Sequence, residues 1–188
     1  MIDNYTIQKL TPSMFNQWDK YVKAHHQGRF FHLSGWQTVI EKSFNHSCYF
    51  LYAEKEGSIC GVLPLVEVKS RLFGHALIST PFCVYGGAIA DSSNIVRQLE
   101  QNACKLAEQL GVDYLELRYK EKQDSTLLLK QAHSTFGCEL DEGSDKILAN
   151  IKKKQRAVIR HSLKNELNCS ISSNKADFND FYQLVATS

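Results

Sequence analysis

Residues 48–68 read CYFLYAEKEGSICGVLPLVEV, two apolar runs joined at Glu56, Gly57 and Ser58. Turn residues between two such runs are the signature of an antiparallel hairpin. SRLFG (70–74) then makes a second reversal into HALISTPFCVYGGAIA (75–90), a third strand carrying an interruption. Three strands in a meander predict the core of a sheet, and the interruption, STPFCVYGG, needs a reason. Glycines let backbone approach a ligand closely, but a bulge or sheet bend needs them equally.

Helices are expected on either side. In TPSMFNQWDKYVKAHH, Phe15, Trp18 and Val22 recur at helical spacing behind Ser13, and a second helix starts at Ser34 with Trp36, Val39 and Ile40 on one side. DSSNIVRQLEQNACKLAEQLG places Val96, Leu99, Ala103, Leu106 and Leu110 on one stripe, with Asp91, Ser92 or Ser93 as cap and Gly111 as stop. Residues 5–10 and VDYLELR (112–118) read as strands. So does LKQAHSTFGCEL (129–140), where Ala132, Ser134, Phe136, Cys138 and Leu140 share a face, with a helix over TLLLKQAH as the alternative. The prediction is an α+β fold of three layers, α/β/α, with a mixed, mostly antiparallel sheet between helices.

The composition then shifts. KILANIKKKQRAVIRHSLKNEL (146–167) reads as one basic helix with Ile151, Val158, Ile159, Leu163 and Leu167 as its apolar stripe. CSISS (169–173) reads as a short strand and DFNDFYQLVATS as the start of a helix. The expected organisation is a first lobe over 1–145, a connecting helix over 146–167 and the start of an incomplete second lobe over 168–188.

With 43% hydrophobic and 22% charged residues the chain is a globular protein, and a net charge of +2 by itself predicts no polyanion partner. MIDNYTIQKL has neither a basic start nor an apolar run, and no segment reaches the roughly 18 apolar residues of a spanning helix, so a cytoplasmic protein is expected. The six cysteines form no C-x-x-C pair and no cluster with histidine, which predicts buried, reduced packing cysteines and no metal site.

Several residues have both a functional and a structural reading. A strand, a diglycine (Gly86, Gly87) and a capped helix form a loose anion cradle, which Asp91 opposes. Glu116 and Arg118 in YLELR lie two apart on one strand face. They make either a structural ion pair or a base beside an anion contact. His32 and Trp36 either line a cleft or cap and pack a helix. Lys154, Arg156 and Arg160 are a solvated face or polyanion contacts.

The order of FFHLSGWQTVI, GVLPLVEVKSRLFGHALISTPFCVYGG, YLELR and KKKQRAVIRHSLKNEL, spread over about residues 30–167, resembles the FemAB-like branch of the acyl-CoA N-acyltransferase (GNAT) superfamily. The nearest likeness is to the bacterial FemAB-like proteins associated with exosortase and exopolysaccharide loci. The resemblance implies transfer of an acyl or aminoacyl group to an amine of an envelope or polysaccharide precursor, with acyl-CoA or aminoacyl-tRNA as donor. It implies that STPFCVYGG lies where strands part and free N–H groups meet an acyl carbonyl, with Pro81, Gly86 and Gly87 at the donor, Tyr85 and Glu116 in catalysis, and His32, Trp36 and Arg118 at the substrate. Lys154, Arg156 and Arg160 would then meet tRNA or another phosphate-bearing partner, and peripheral contact with a membrane is a further expectation. The pyrophosphate pattern of coenzyme A users, a basic residue and Gly-x-Gly or Gly-x-Ala leading straight into a helix, is not reproduced, which weighs against coenzyme A. The alternatives are a non-catalytic GNAT-fold module that binds an anionic or nucleotide-linked partner, and a single-lobe acetyl-CoA-dependent N-acetyltransferase.

Overall fold

The computed structural model describes residues 5–187 except Arg71, Phe73, Asp124, residues 131–133, Glu166, Leu167 and Cys169. It divides into two units, Met1–Leu128 and Leu129–Ser188.

In the first unit, β1 (Thr6–Lys9) precedes two helices, α1 (Phe15–Ala24) and α2 (Gly35–Phe44), with a 3₁₀ turn at Phe30–His32 between them. The expected hairpin follows, but each arm is interrupted. Its first arm is β2 (Ser47–Cys48) and β3 (Leu51–Lys55), its second β4 (Ser58–Leu63) and β5 (Leu65–Ser70). Glu56 and Gly57 take φ of 51° and 77°, the left-handed pair that closes a two-residue hairpin with the right twist. The expected third strand is β6 (Gly74–Ser79) and β7 (Ile89–Ala90), followed by α3 (Ser93–Leu110) and β8 (Tyr114–Glu116). The ladders form two four-stranded sheets, β1-β3-β4-β7 and β2-β5-β6-β8, antiparallel except where β6 meets β8.

Helices cover both faces, so the three-layer α+β architecture holds. Trp18, Val22 and Ile40 of α1 and α2 bury against Phe50, Tyr52, Val62 and Val66. Ile95, Leu99 and Ala103 of α3 bury against Leu51, Ala53, Leu63, Leu65 and Leu77. Strand alternation sends neighbours to opposite layers, Tyr52 to one and Leu51 and Ala53 to the other. Each fully buried aliphatic side chain contributes about 1.5–3 kcal/mol. Ser92 is the cap of α3, its hydroxyl accepting from Ile95 N at 3.4 Å, and Gly111 ends the helix at φ 63°.

The two interruptions differ. Cys48 opposes Val66 and Leu51 opposes Leu63, so the hairpin keeps a single register across the gap at Pro64, which has no N–H to give to a ladder. On the other side Leu65 opposes Ser79, and that register would bring Phe82 opposite Val62. Ile89 stands there instead, seven residues later. The stretch STPFCVYGG is therefore an extrusion from a strand that resumes beyond it. Its entry is strained: Thr80 and Phe82 have φ of 41° and 67°, and for a β-branched residue such a φ is a genuine outlier.

The second unit contains α4 (Ser144–Asn150), α5 (Lys153–Ser162), a 3₁₀ turn at Leu163–Asn165 and α6 (Lys175–Thr187). Three expectations are corrected here. The basic helix is two helices, because Ile151 is extended (ψ 139°) after Asn150, a β-branched residue behind a poor helix former. Leu167 of its stripe lies outside the described residues. Residues 129–130 and 134–140 form no strand, and residues 126–130 no helix; Ala132 lies outside the described residues. Alternation alone does not make a strand where no ladder accepts it. Residues 170–173 of CSISS are likewise not a strand, and Cys169 lies outside the described residues. The Asn174 side chain caps α6, accepting from Ala176 N at 2.7 Å and Asp177 N at 3.0 Å.

Cys48, Cys60 and Cys83 are buried, but Cys104 is half-buried and Cys138 exposed, so burial of the cysteines is not uniform. Among the described residues no group of three His, Cys, Asp or Glu side chains is placed to hold a metal ion, and no helix is long and apolar enough to cross a membrane.

Candidate functional site

The extrusion makes one wall of a pocket. β8 runs parallel to β6 as far as Glu116 opposite Ile78, and the chain then crosses the mouth of the extruded loop. Arg118 N donates to Ser79 Oγ at 2.8 Å, and the Arg118 carbonyl accepts from both Gly86 N (3.0 Å) and Gly87 N (2.9 Å). At the other end Thr80 N donates to Pro64 O at 3.2 Å. Arg29, His32, Tyr85, Arg118, Tyr119 and Lys120 line the pocket together with Gly87.

The two glycines are required for close packing. A Cβ on Gly87 would fall 2.4 Å from the Tyr119 ring, and one on Gly86 would fall 2.5 Å from Thr80 Oγ1. Their N–H groups are spent on Arg118, so this pair does not offer the free donors expected of it; one carbonyl just beyond β8 accepts from both.

Arg118 is the pin of the loop. Its Nε donates to Glu116 Oε1 at 2.6 Å and its Nη1 to the Cys83 carbonyl at 2.8 Å. The Glu116–Arg118 pair thus takes the structural geometry, with Glu116 off the pocket lining. His32 and Tyr85 both reach the pocket, and Phe31 meets the Tyr85 ring edge-on at 6.4 Å. Trp36 does not line it: its Nε1 donates to Phe30 O at 3.1 Å and its ring packs edge-on against Phe30. Pro81 is buried at the loop's entry and is also absent from the lining. Lys154, Arg156 and Arg160 lie on α5 of the second unit; Lys154 and Arg160 are exposed and Arg156 half-buried.

Asp91 neither caps α3 nor stands free against an anion. Its Oδ1 lies 2.9 Å from the Tyr21 hydroxyl, which also reaches Cys60 O at 3.0 Å. Burial, then the hydrogen bond to Asp91, pushes the Tyr21 phenol above its ordinary pKa.

Arg29, Tyr119 and Lys120 of the lining were missed by sequence reasoning, as was Glu100 behind Tyr119, and of these Glu100 had left a signal. Glu100 sits on the buried side of α3, 5% exposed, a carboxylate among Val96, Leu99 and Ala103. A charge on an apolar stripe implies a partner. Its partners are the Tyr119 hydroxyl (2.7 Å to Oε1) and the Ser125 hydroxyl (2.8 Å to Oε2). Burial and the Glu100 charge raise the Tyr119 phenol well above its usual range, so it stays a donor and holds the ring against Gly87. Nothing in the run after YLELR marked Tyr119. His32, 3% exposed, is the other titratable group at the pocket whose pKa is moved. Burial holds its imidazole below the ordinary value, while the Gly87 and Arg29 carbonyls pull the other way.

No family model and no curated protein matches the chain. Among solved structures it is similar to a transcriptional regulator from Bacillus halodurans C-125, at 13% identity over 92% of this chain and 98% of that one, with a TM-score of 0.45. It is similar to a GNAT family acetyltransferase from Staphylococcus aureus subsp. aureus USA300_TCH1516, at 14% identity over 72% and 98% of the two chains, with a TM-score of 0.45. It is also similar to FemX, at 16% identity over 55% of this chain, with a TM-score of 0.42; the match spans 24% of FemX. Identities of 13–16% with scores of 0.42–0.45 carry neither a family nor an activity to this chain. The α+β class stands on the strand order and the parting of the strands described above.

Proposed function

We propose that this chain is an acyltransferase lobe of FemAB-like type, moving an acyl or aminoacyl group onto an amine of a cell-envelope or polysaccharide precursor in the bacterial cytoplasm. One observation carries the reading: a seven-residue extrusion parts the sheet, and a pocket opens at its mouth between a buried histidine, a tyrosine and cations. Such a parting gives a thioester or ester donor a place to meet a shielded amine in a fixed orientation. Tyr85 is the acid or substrate contact in this scheme, and Arg118 and Lys120 give the pocket its positive side. Acyl-CoA and aminoacyl-tRNA are the donors to test, with Lys154, Arg156 and Arg160 as phosphate contacts and residues 146–167 leading into a second lobe.

The commitment of the Gly86 and Gly87 amides to Arg118, and of Glu116 to Arg118, supports a second reading: a binding module for an anionic or nucleotide-linked partner. The experiment titrates the protein, alone and with a second lobe, with acyl-CoAs, aminoacyl-tRNA and nucleotide sugars, and follows acyl transfer to amines by mass spectrometry. Tight binding without transfer from any donor sinks the enzyme in favour of the binding module. Acetyl transfer from coenzyme A by this chain alone establishes the single-lobe acetyltransferase. Binding to tRNA through α5 is expected to weaken steeply with salt.

A further inference from the structure

His32 is half satisfied. Its Nε2 lies 3.0 Å from the Gly87 carbonyl oxygen, which only accepts, so Nε2 carries the hydrogen and Nδ1 of the neutral ring carries a lone pair. Nδ1 is buried and makes no hydrogen bond of proper geometry among the described residues, the Arg29 carbonyl that favours a protonated ring included, although the ring lines the pocket. Buried polar atoms in folded proteins are nearly always paired, and one that is not calls for a reason such as a bound group or a catalytic role. The backbone around the ring is fixed: Trp18 Nε1 donates to His32 O at 2.6 Å, and Thr80 Oγ1 donates to Phe31 O at 3.2 Å. Of the nearby carboxylates, Glu116 is occupied by Arg118 and Glu100 by Tyr119 and Ser125, while Glu121, the carboxylate on the lining, is exposed to solvent.

We propose that His32 is a catalytic residue, its Nδ1 taking the proton that a primary amine loses as it attacks the acyl carbonyl. The proposal rests on the acyl-transfer reading. The amine nitrogen forms the new C–N bond, and the bond from the carbonyl carbon to the sulfur or oxygen of a thioester or ester donor breaks. The N–H proton passes to Nδ1, and the imidazolium returns it to the departing thiolate or alkoxide. Burial keeps the ring neutral near pH 7, as a proton acceptor must be. The Arg29 guanidinium and His25 also oppose its protonation, and Arg118, Lys120, Glu121, Tyr85 and Tyr119 are the other titratable groups around the pocket.

Two measurements on the full chain test this. In ring-nitrogen NMR at neutral pH, His32 is expected as the Nε2-protonated neutral tautomer, with its Nδ1 resonance moving when ethanolamine is added as the amine probe. A ring protonated at Nδ1, or an Nδ1 resonance indifferent to ethanolamine, overturns the proposal. In transfer assays, His32→Gln keeps a donor for Gly87 and removes the lone pair. It is expected to lower kcat by about 10²–10⁴-fold at little changed KM for the amine, and to flatten the acidic limb of the pH profile. His32→Asn is expected to fall as far, since an amide near the Nδ1 position is not a base. An unchanged kcat and acidic limb in His32→Gln would sink the proposal. If the unsubstituted protein transfers nothing even when supplied with a second lobe, the acyl-transfer reading fails, and the ring nitrogens alone decide whether Nδ1 receives an amine.

Discussion

The hairpin β2-β3/β4-β5 and the strand β6-β7 lie side by side in the same layer, and both are broken, yet only one break changes anything downstream. Across Pro64 the register is the same before and after, and Leu63 and Leu65 stay in one core. Between β6 and β7 the chain leaves the ladder, runs through two left-handed residues and returns seven residues out of step. A gap in phase preserves a sheet; a gap out of phase leaves a surplus of chain, and that surplus walls the pocket.

If this contrast is right, stability resides on the hairpin side. Leu63→Ala, at a residue with no exposed surface, is expected to cost about 2–5 kcal/mol in denaturant unfolding. Val84→Ala, 58% exposed in the loop, should stay within about 0.5 kcal/mol. Equal effects would break the comparison. Next comes Gly87→Ala, whose new Cβ would stand 2.4 Å from the Tyr119 ring, with an expected loss of about 1–3 kcal/mol. Tyr119→Ala in the same background should recover part of it, as a double-mutant cycle measures. Arg118→Gln removes the half-exposed pair with Glu116 and the donor to Cys83 O, and is expected to cost only about 0.2–1 kcal/mol. Its clearer sign is faster proteolytic cutting within residues 81–85.

The smallest effect at neutral pH is that of His32, because there it vanishes. Its folded pKa lies below the unfolded one, so the unfolded chain binds more protons as the solution is acidified. Stability should therefore be unaffected above about pH 6.5 and decline as pH falls from there toward the folded pKa. His32→Gln should remove that part of the decline in unfolding curves recorded against pH.

Much of the ladder was legible because its signals are local. Glu56-Gly57 sets the turn, alternation sets the faces, and Ser92 and Gly111 bound α3. The division into two sheets was not legible, since it depends on which neighbour each half-strand meets; the interruption STPFCVYGG and Pro64 are its marks in the sequence. Residues 129–140 show the converse, a strand pattern without a ladder to join. Of the expected site residues, His32, Tyr85, Gly87 and Arg118 converge on the pocket, while Trp36, Pro81, Gly86 and Glu116 serve packing and pinning. Gly86 and Gly87 read as a place where backbone meets a ligand, but their spacing does not reveal that a carbonyl 31 residues beyond Gly87 claims both amides.

That double claim has a practical consequence. Thr80 is tied to Pro64 at one end of the loop, and Gly86 and Gly87 are tied to Arg118 at the other. Between those two moorings, residues 81–85 are held to the frame by the Arg118 side chain at the Cys83 carbonyl. The segment is thus exchangeable: it can be lengthened, shortened or rewritten to suit another ligand while the strands on either side keep their partners.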